Sequence, residues 1–254
     1  MVEGYKSVSK RWNIAQSYEQ GYWKRIADRI ASDAGNQLTW YEWKASQFEQ
    51  KLSIVANKVN KKNCRILEIG SGPIGIVTYL EWGERYALDP LGDFYGAHPE
   101  LVALRNKNVH YLTGKGEEIS FPDKYFSVVI IDNVLDHVSE PFTVLKEIRR
   151  VLANDGVLYI ELNIHTFWGY LLHTLLAKLK IDKGHPYSFT SSKIRQCLNE
   201  YGFGVMKEFI NDYYEASKAD RESDSVKSKL KGYSGLSEFI YCAVSSKQQI
   251  GTSK

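Results

Sequence analysis

The 254-residue chain has no surplus of either charge: 33 lysines and arginines stand against 30 carboxylates, a formal net charge of +3. No long basic stripe gathers the positive residues. A chain so nearly balanced exerts no long-range pull on a phosphate backbone, which argues against nucleic acid as a partner. Cysteine is scarce, and Cys64, Cys197 and Cys242 are odd in number and far apart. Their spacing fits neither a metal knuckle nor a disulfide framework, so no metal is expected and a reducing compartment is favoured. The N-terminal "MVEGYKSVSKRW" lacks the apolar core of a secretory leader. The longest apolar run, "TFWGYLLHTLLA" at 166–177, stops at Lys178 and is too short to span a bilayer. These absences predict a soluble, cytoplasmic protein. No internal repeat is visible.

What is present is a core and a rhythm. Hydrophobic residues make up 43% of the chain, and its length suits one large α/β domain, or one domain with added helices. Residues 11–33 and 38–60 read as two helices. In the second, Phe48, Leu52, Val55 and Val59 form an apolar stripe, and Thr39 with Glu42 suggests a capping box. After "NKKN" at 60–63, strands and helices alternate. "RILEIG" is a buried strand, "IGIVTYL" a helix, and "RYALDP" (85–90) a second strand. A helix near 99–105 leads to the strand "VHYLTG" (109–114), and "FSVVIIDN" (126–133) is a fourth. Ser139 and Pro141 open a helix with Leu145, Ile148, Val151 and Leu152 on one side. "ANDG" (153–156) then turns the chain into "VLYIELN". This order predicts a mostly parallel sheet with helices on both faces.

Past residue 165 the pattern changes. An apolar helix is expected at 167–180 and another at 191–201, with Ile194, Cys197, Leu198 and Tyr201 on one face. "FGVMKEFI" and "SEFIYCAVS" read as closing strands, which brings the sheet to seven. The polar stretch 215–235 between them reads as a solvated loop, and 246–254 as a frayed tail.

The chemistry starts at Gly70-x-Gly72-x-x-Gly75, a bend between the first strand and a helix start. Missing side chains and free backbone N–H groups there let a ligand approach closely. Asp89 ends the next strand, placed to accept hydrogen bonds from both hydroxyls of a ribose. By themselves these features suit a nicotinamide dinucleotide as well as any other adenosyl ligand.

The segments that follow separate the two. "LEIGSGPIG", "ALDP", "GKGEEISFPDKYFSVVIIDNVLDHV" and "FTVLKEIRRVLANDGVLYIEL" resemble, in that order, the class I S-adenosylmethionine-dependent methyltransferases, in particular their small-molecule branch. The resemblance runs from about residue 64 to 163 and continues weakly beyond. It implies a Rossmann-like fold and S-adenosyl-L-methionine as cofactor, with S-adenosyl-L-homocysteine as product. Glu68, Gly70, Ser71 and Gly72 would line its methionine end, Asp89 the ribose, Gly116 and Glu117 the adenine. Asn133 and Val134 would lie beneath the reacting end. The implied organisation is a helical lid at 1–60, a cofactor-binding core at 61–165, substrate-side helices and closing strands of the same domain at 166–245, and a tail.

The chain departs from the family pattern in three places. Pro73 and Ile74 lengthen the glycine loop by one residue. Lys115-Gly116 replaces the usual Asp-Ala, which passes the adenine contact to Glu117. Ser127 stands where Asp is usual. These departures keep two rivals open: a dinucleotide-binding oxidoreductase, and a cofactor-binding scaffold without turnover.

Methyl transfer from a sulfonium needs alignment of donor and acceptor, and a base only if the acceptor must lose a proton. His137, four residues past Asn133, is the first candidate base, and His165 past the fifth strand the second. His185 in "GHPYSFT" is a third residue able to reach in. Asp132 and Asp136 have no third ligand near them, so no metal is expected. The run "DNVL" is unlike that of enzymes acting on base amines, no cysteine sits where base-carbon enzymes need one, and the paired-glutamate loop of protein-arginine enzymes is missing. A small-molecule acceptor remains, with oxygen, nitrogen or carbon as the methylated atom. The helix at 167–181 is expected to pack on the N-terminal helices. The alternatives are a wall of a lipophilic pocket, or a peripheral membrane contact with Lys178, Lys180 and Lys183 near headgroups. Tyr18, Tyr22, Trp23, Trp40, Tyr41 and Trp43 would form the opposite lid.

Overall fold

Seven strands form one sheet in the order β3-β2-β1-β4-β5-β7-β6. They are β1 (Arg65–Ile69), β2 (Glu84–Asp89), β3 (Val109–Thr113), β4 (Phe126–Asp132), β5 (Leu152–Ile164), β6 (Phe203–Ile210) and β7 (Phe239–Lys247). The computed structural model describes residues 2–32, 38–55, 59–178 and 187–248. Strands β1 to β5 pair in parallel, while β7 runs antiparallel to both β5 and β6. Because β1 neighbours β2 on one side and β4 on the other, the chain leaves the sheet's centre in opposite directions there. That reversal opens a crevice at the carboxyl ends of β1 and β4.

Alternation of side chains along each strand divides the core between two faces. Leu67, Ile69, Val129, Ile131, Leu158 and Ile160 face α5 (Pro141–Val151) and α7 (Ser191–Glu200). Ile66, Val128, Ile130, Val157 and Tyr159 face α2 (Trp40–Ser53) through Ala45, Phe48 and Leu52. A third cluster joins α1 (Val2–Ser32) to the bend after β1 and to the short helices α3 (Gly92–Gly96) and α4 (Pro99–Val102). It is built on Trp23, Ala27, Tyr41, Ile74 and Tyr95. The N-terminal helices are thus fastened above the sheet's carboxyl edge, with α1 longer and α2 shorter than expected.

Several local expectations are corrected. No α-helix follows the glycine bend; Ile76–Tyr79 is a single 3₁₀ turn. The N–H groups of Ile76 and Val77 bond to the Glu68 side chain, and β2 begins at Glu84, which leaves too little chain for a longer helix. Thr39 makes no side-chain cap, and Glu140 rather than Ser139 precedes α5. Residues 153–156 belong to β5 as an irregularity in its pairing with β4. The expected loop at 215–235 is two helices, α8 (Tyr213–Glu222) and α9 (Val226–Ser234). Asp212 and Ser225 cap their starts, and Gly235 ends α9 at a φ of +80°. Their polar composition hid caps that were present in the sequence. β7 runs two residues into the expected tail.

The apolar helix α6 (Phe167–Lys178) does not bury its wide face on the N-terminal helices: Phe167, Trp168, Leu171 and Leu175 are exposed. Among the described residues, no helix is long and apolar enough to cross a membrane.

Candidate functional site

Near the end of β1 stands Glu68, whose two oxygens accept the N–H groups of Ile76 and Val77, each at 3.0 Å. This folds the glycine bend back onto its own strand. Gly75 is required there, because at its φ of +73° a β-carbon would stand 2.6 Å from Glu68 Oε2. Burial pushes the Glu68 carboxyl up to about 8, and the two N–H bonds oppose that shift. Glu68, expected at the cofactor's methionine end, therefore also shapes the bend.

The bend is closed from two sides. A β-carbon on Gly70 would collide with Val134, and one on Gly72 with Tyr41 Oη. The Tyr41 hydroxyl donates to the Ser71 carbonyl at 3.1 Å, tying α2 to the bend. Asp89, at the end of β2, accepts from Gly72 N and Leu91 N, both at 2.8 Å. It is 6% exposed, and burial pushes its carboxyl up to about 6. On the far side, Gly116 packs so tightly that a β-carbon would lie 2.9 Å from Ile69. Glu117 Oε1 accepts the backbone N–H and the hydroxyl of Ser139, at 2.9 and 2.7 Å, and so anchors the approach to α5.

Asn133 sits beyond β4 at a φ of +56°, its N–H bonded to the Glu161 carbonyl at 2.7 Å. Its side-chain Oδ1 is buried and has no partner among the described residues. A buried acceptor left open in this way calls for a donor from a ligand or water. His137 Nε2 lies 3.6 Å from Asp136 Oδ2.

All nine expected ligand residues and His137 line one cavity of about 410 Å³, within the range of small-molecule sites. His165 is not brought there. It is buried away from the cavity lining, with its ring stacked on His173 at 5.0 Å. His185 lies outside the described residues.

The lid supplies groups that sequence reasoning missed. Glu19 and Trp12 of α1 and Lys44 of α2 line the cavity beside Trp23, Trp40 and Tyr41. Tyr18, Tyr22 and Trp43 point outward. Burial, and then the nearby Asp89, raise the Glu19 carboxyl. Lys44 Nζ bonds Asp132 at 2.6 Å, and Lys51 bonds Glu161 at 2.7 Å. Burial pushes Asp132 up to about 6 against the pull of Lys44. Lys115 lies over the Trp12 ring at 4.0 Å. A signal existed: Glu19 stands four residues before Trp23 and Lys44 three after Tyr41, which puts each charge on the inward face of its helix.

Comparison with known proteins agrees with this geometry. Residues 67–160 match the family model described as a methyltransferase domain. An uncharacterized protein of Mycobacterium tuberculosis is 30% identical over 141 residues, which are 55% of this chain and 47% of that protein. A ubiquinone/menaquinone biosynthesis C-methyltransferase of Vibrio parahaemolyticus is 40% identical over 98 residues, covering 35% and 38%. The chain thus spans about half the length, or less, of these relatives. A phosphoethanolamine N-methyltransferase of Haemonchus contortus, solved with phosphomonomethylethanolamine and S-adenosylhomocysteine, superposes with a TM-score of 0.56 at 17% identity. The match covers 79% of this chain and 53% of that one. Residues 67–160 thus match a methyltransferase domain, and the sheet around them has the Rossmann-like fold of the class I S-adenosylmethionine-dependent methyltransferases.

Proposed function

We propose that the chain transfers a methyl group from S-adenosyl-L-methionine to a small, lipophilic or aromatic metabolite and releases S-adenosyl-L-homocysteine. The observation that carries this reading is one cavity in which the glycine bend, Asp89, Gly116–Glu117 and Asn133–Val134 converge. Its acidic lining suits a cationic ligand, which would favour the ionised form of the carboxyls whose pKa burial raises. Glu19, Glu68, Asp89, Glu117 and Asp132 line it, whereas Lys44 is paired with Asp132 and Lys115 lies on Trp12. The open acceptor Asn133 Oδ1 suits the same ligand.

When bound, the cofactor supplies an electrophilic methyl group on a cationic sulfur. The chain's own residues hold and align. Glu68 keeps the bend narrow, while its remaining lone pairs and those of Asp89 accept from the ligand's ammonium and ribose hydroxyls. Glu117 retains Oε2 for the adenine edge while Oε1 holds the α5 approach. Ser71, Gly70 and Gly72 admit the ligand against bare backbone. Trp12, Trp23 and Trp40 exclude water and offer flat apolar walls to the acceptor. His137, at the cavity wall, takes the proton where the acceptor is a hydroxyl or a protonated amine. In this division of labour residues 1–60 are the lid, 61–165 the cofactor core and 166–245 the substrate side.

A dinucleotide is disfavoured by the bend itself. Pyrophosphate binding uses free N–H groups at a helix start. Here the N–H groups of Ile76 and Val77 are taken by Glu68, and only a 3₁₀ turn follows.

Calorimetry with S-adenosylhomocysteine against NAD tests the reading: binding of the first alone is expected, and binding of NAD alone refutes it. Labelled donor incubated with cell extract, followed by identification of the labelled product, names the acceptor and the methylated atom. Tight binding with no transfer across a broad panel would make the chain a scaffold. His137→Ala should lower turnover more than cofactor affinity, and equal turnover would remove the base role.

A further inference from the structure

We infer that the face formed by α6 and α9 docks on a lipid surface carrying anionic headgroups. α6 turns four large apolar side chains outward, with Phe167 73%, Trp168 62% and Leu175 53% exposed, and Leu171 beside them. Phe167, Leu171 and Leu175 follow the i, i+4, i+8 spacing of one helix face, with Trp168 in the adjacent row. α9 repeats the pattern: Val226, Leu230 and Tyr233, at i, i+4 and i+7, are all more than half exposed. Helix faces this apolar are ordinarily buried, and their exposure marks an interaction surface.

The two helices are held as one surface. The Trp168 indole N–H donates to the Ser234 carbonyl at 3.2 Å, next to Tyr233. A β-carbon on Gly169 would stand 2.8 Å from the Gly235 carbonyl oxygen. Only glycine at these positions allows the backbones so close.

Charge selects the occupant. The whole chain is nearly balanced, yet neither α6 nor α9 carries a carboxylate; Lys231 of α9 is paired with Glu238 at 2.5 Å, which leaves Lys227 and Lys229 to meet an anionic surface. Lys227 and Lys229 are exposed. Apolar side chains with indole and phenol groups among lysines match the boundary between acyl chains and anionic headgroups.

The surface also lies where delivery of a lipophilic acceptor would need it. α6 begins three residues after β5 ends at Ile164, and β7 starts opposite that residue, Ile164 pairing with Phe239. The docking face therefore borders the same carboxyl edge as the cavity. This last link rests on the proposed methyl transfer; the docking itself does not.

Sedimentation of the full chain with vesicles tests it, using phosphatidylcholine alone and phosphatidylcholine mixed with phosphatidylglycerol. The chain is expected to sediment with the mixed vesicles and far less with phosphatidylcholine. Phe167→Ser with Leu171→Ser, and separately Leu230→Ser with Tyr233→Ser, should each lower partitioning about tenfold or more. Lys227→Glu with Lys229→Glu should weaken binding to the mixed vesicles and leave the phosphatidylcholine background unchanged. All six side chains are exposed or at the surface, and an unchanged melting temperature checks that each variant folds. Failure of the wild type to sediment with either vesicle overturns the inference, as do apolar variants that sediment like wild type. A wild-type dimer that becomes monomeric in the Phe167→Ser, Leu171→Ser variant also overturns it, since a second copy would then be the occupant. Affinity for S-adenosylhomocysteine, measured on the same proteins, should not change. Its absence in the wild type would sink the enzyme reading and leave the lipid result standing.

Discussion

Substituting Gly72 by alanine probes the contact that fastens the lid to the glycine bend. Gly72 holds a φ of +62°, where a side chain costs about 1–2 kcal/mol. The new β-carbon would run into Tyr41 Oη, which cannot retreat without giving up its bond to the Ser71 carbonyl. Crowding a packed site costs about 1–3 kcal/mol, and the abandoned carbonyl about 1–2 kcal/mol more. Gly72→Ala alone should therefore lose roughly 3–7 kcal/mol of stability. Tyr41→Phe alone loses only the hydroxyl's bond, about 1–2 kcal/mol. In the double variant the clash is gone, because the next atoms, Trp23 Cζ2 and Tyr41 Cζ, lie at 3.5 and 3.7 Å, ordinary contact distances. The second substitution should thus rescue the first, with a coupling of about 2–5 kcal/mol in a double-mutant cycle. Urea denaturation of the four proteins measures it, and calorimetry with S-adenosylhomocysteine reports whether the bend still binds. Additive losses, within about 0.5 kcal/mol, would show that Tyr41 does not rest on Gly72 and refute the closed lid.

Three further outcomes are expected. Asp89→Ala should weaken S-adenosylhomocysteine binding by about 1–3 kcal/mol, read by calorimetry; unchanged affinity removes the ribose contact. Lys44→Met strands Asp132 and should cost about 2–4 kcal/mol in urea denaturation, below the fully buried range because Lys44 is partly exposed; adding Asp132→Asn should restore most of that loss. The ligand-free protein should melt lower as pH rises. Asp89 and Asp132 move from 3.8 to about 6 and Glu68 from 4.5 to about 8 on folding. The folded chain therefore binds protons more tightly than the unfolded one. That stability is fully present below about pH 4 and is lost as pH climbs through 6 to 8. A melting temperature that rises over that window would contradict the burial of these carboxylates.

Local pattern carried far in this chain. Alternating apolar strands and striped helices predicted the sheet, the glycine bend with Asp89 predicted a ligand site, and the resemblance to the methyltransferases added Glu117 and Asn133 to it. It failed where composition and geometry part. Residues 215–235 are polar enough to pass for a loop, yet Asp212 and Ser225 cap two helices within them. "IGIVTYL" has a helix's apolar content but only a 3₁₀ turn's worth of free backbone.

The succession of strands along the chain and the residues at their carboxyl ends follow from the sequence alone, because period and turn chemistry are local properties. Three things were decided only in three dimensions: the arrival of Glu19 and Lys44 over the bend, the removal of His165 from the cavity, and the exposure of α6. Each depends on which helix faces meet, and that is settled by packing between segments that are mostly tens of residues apart in the chain.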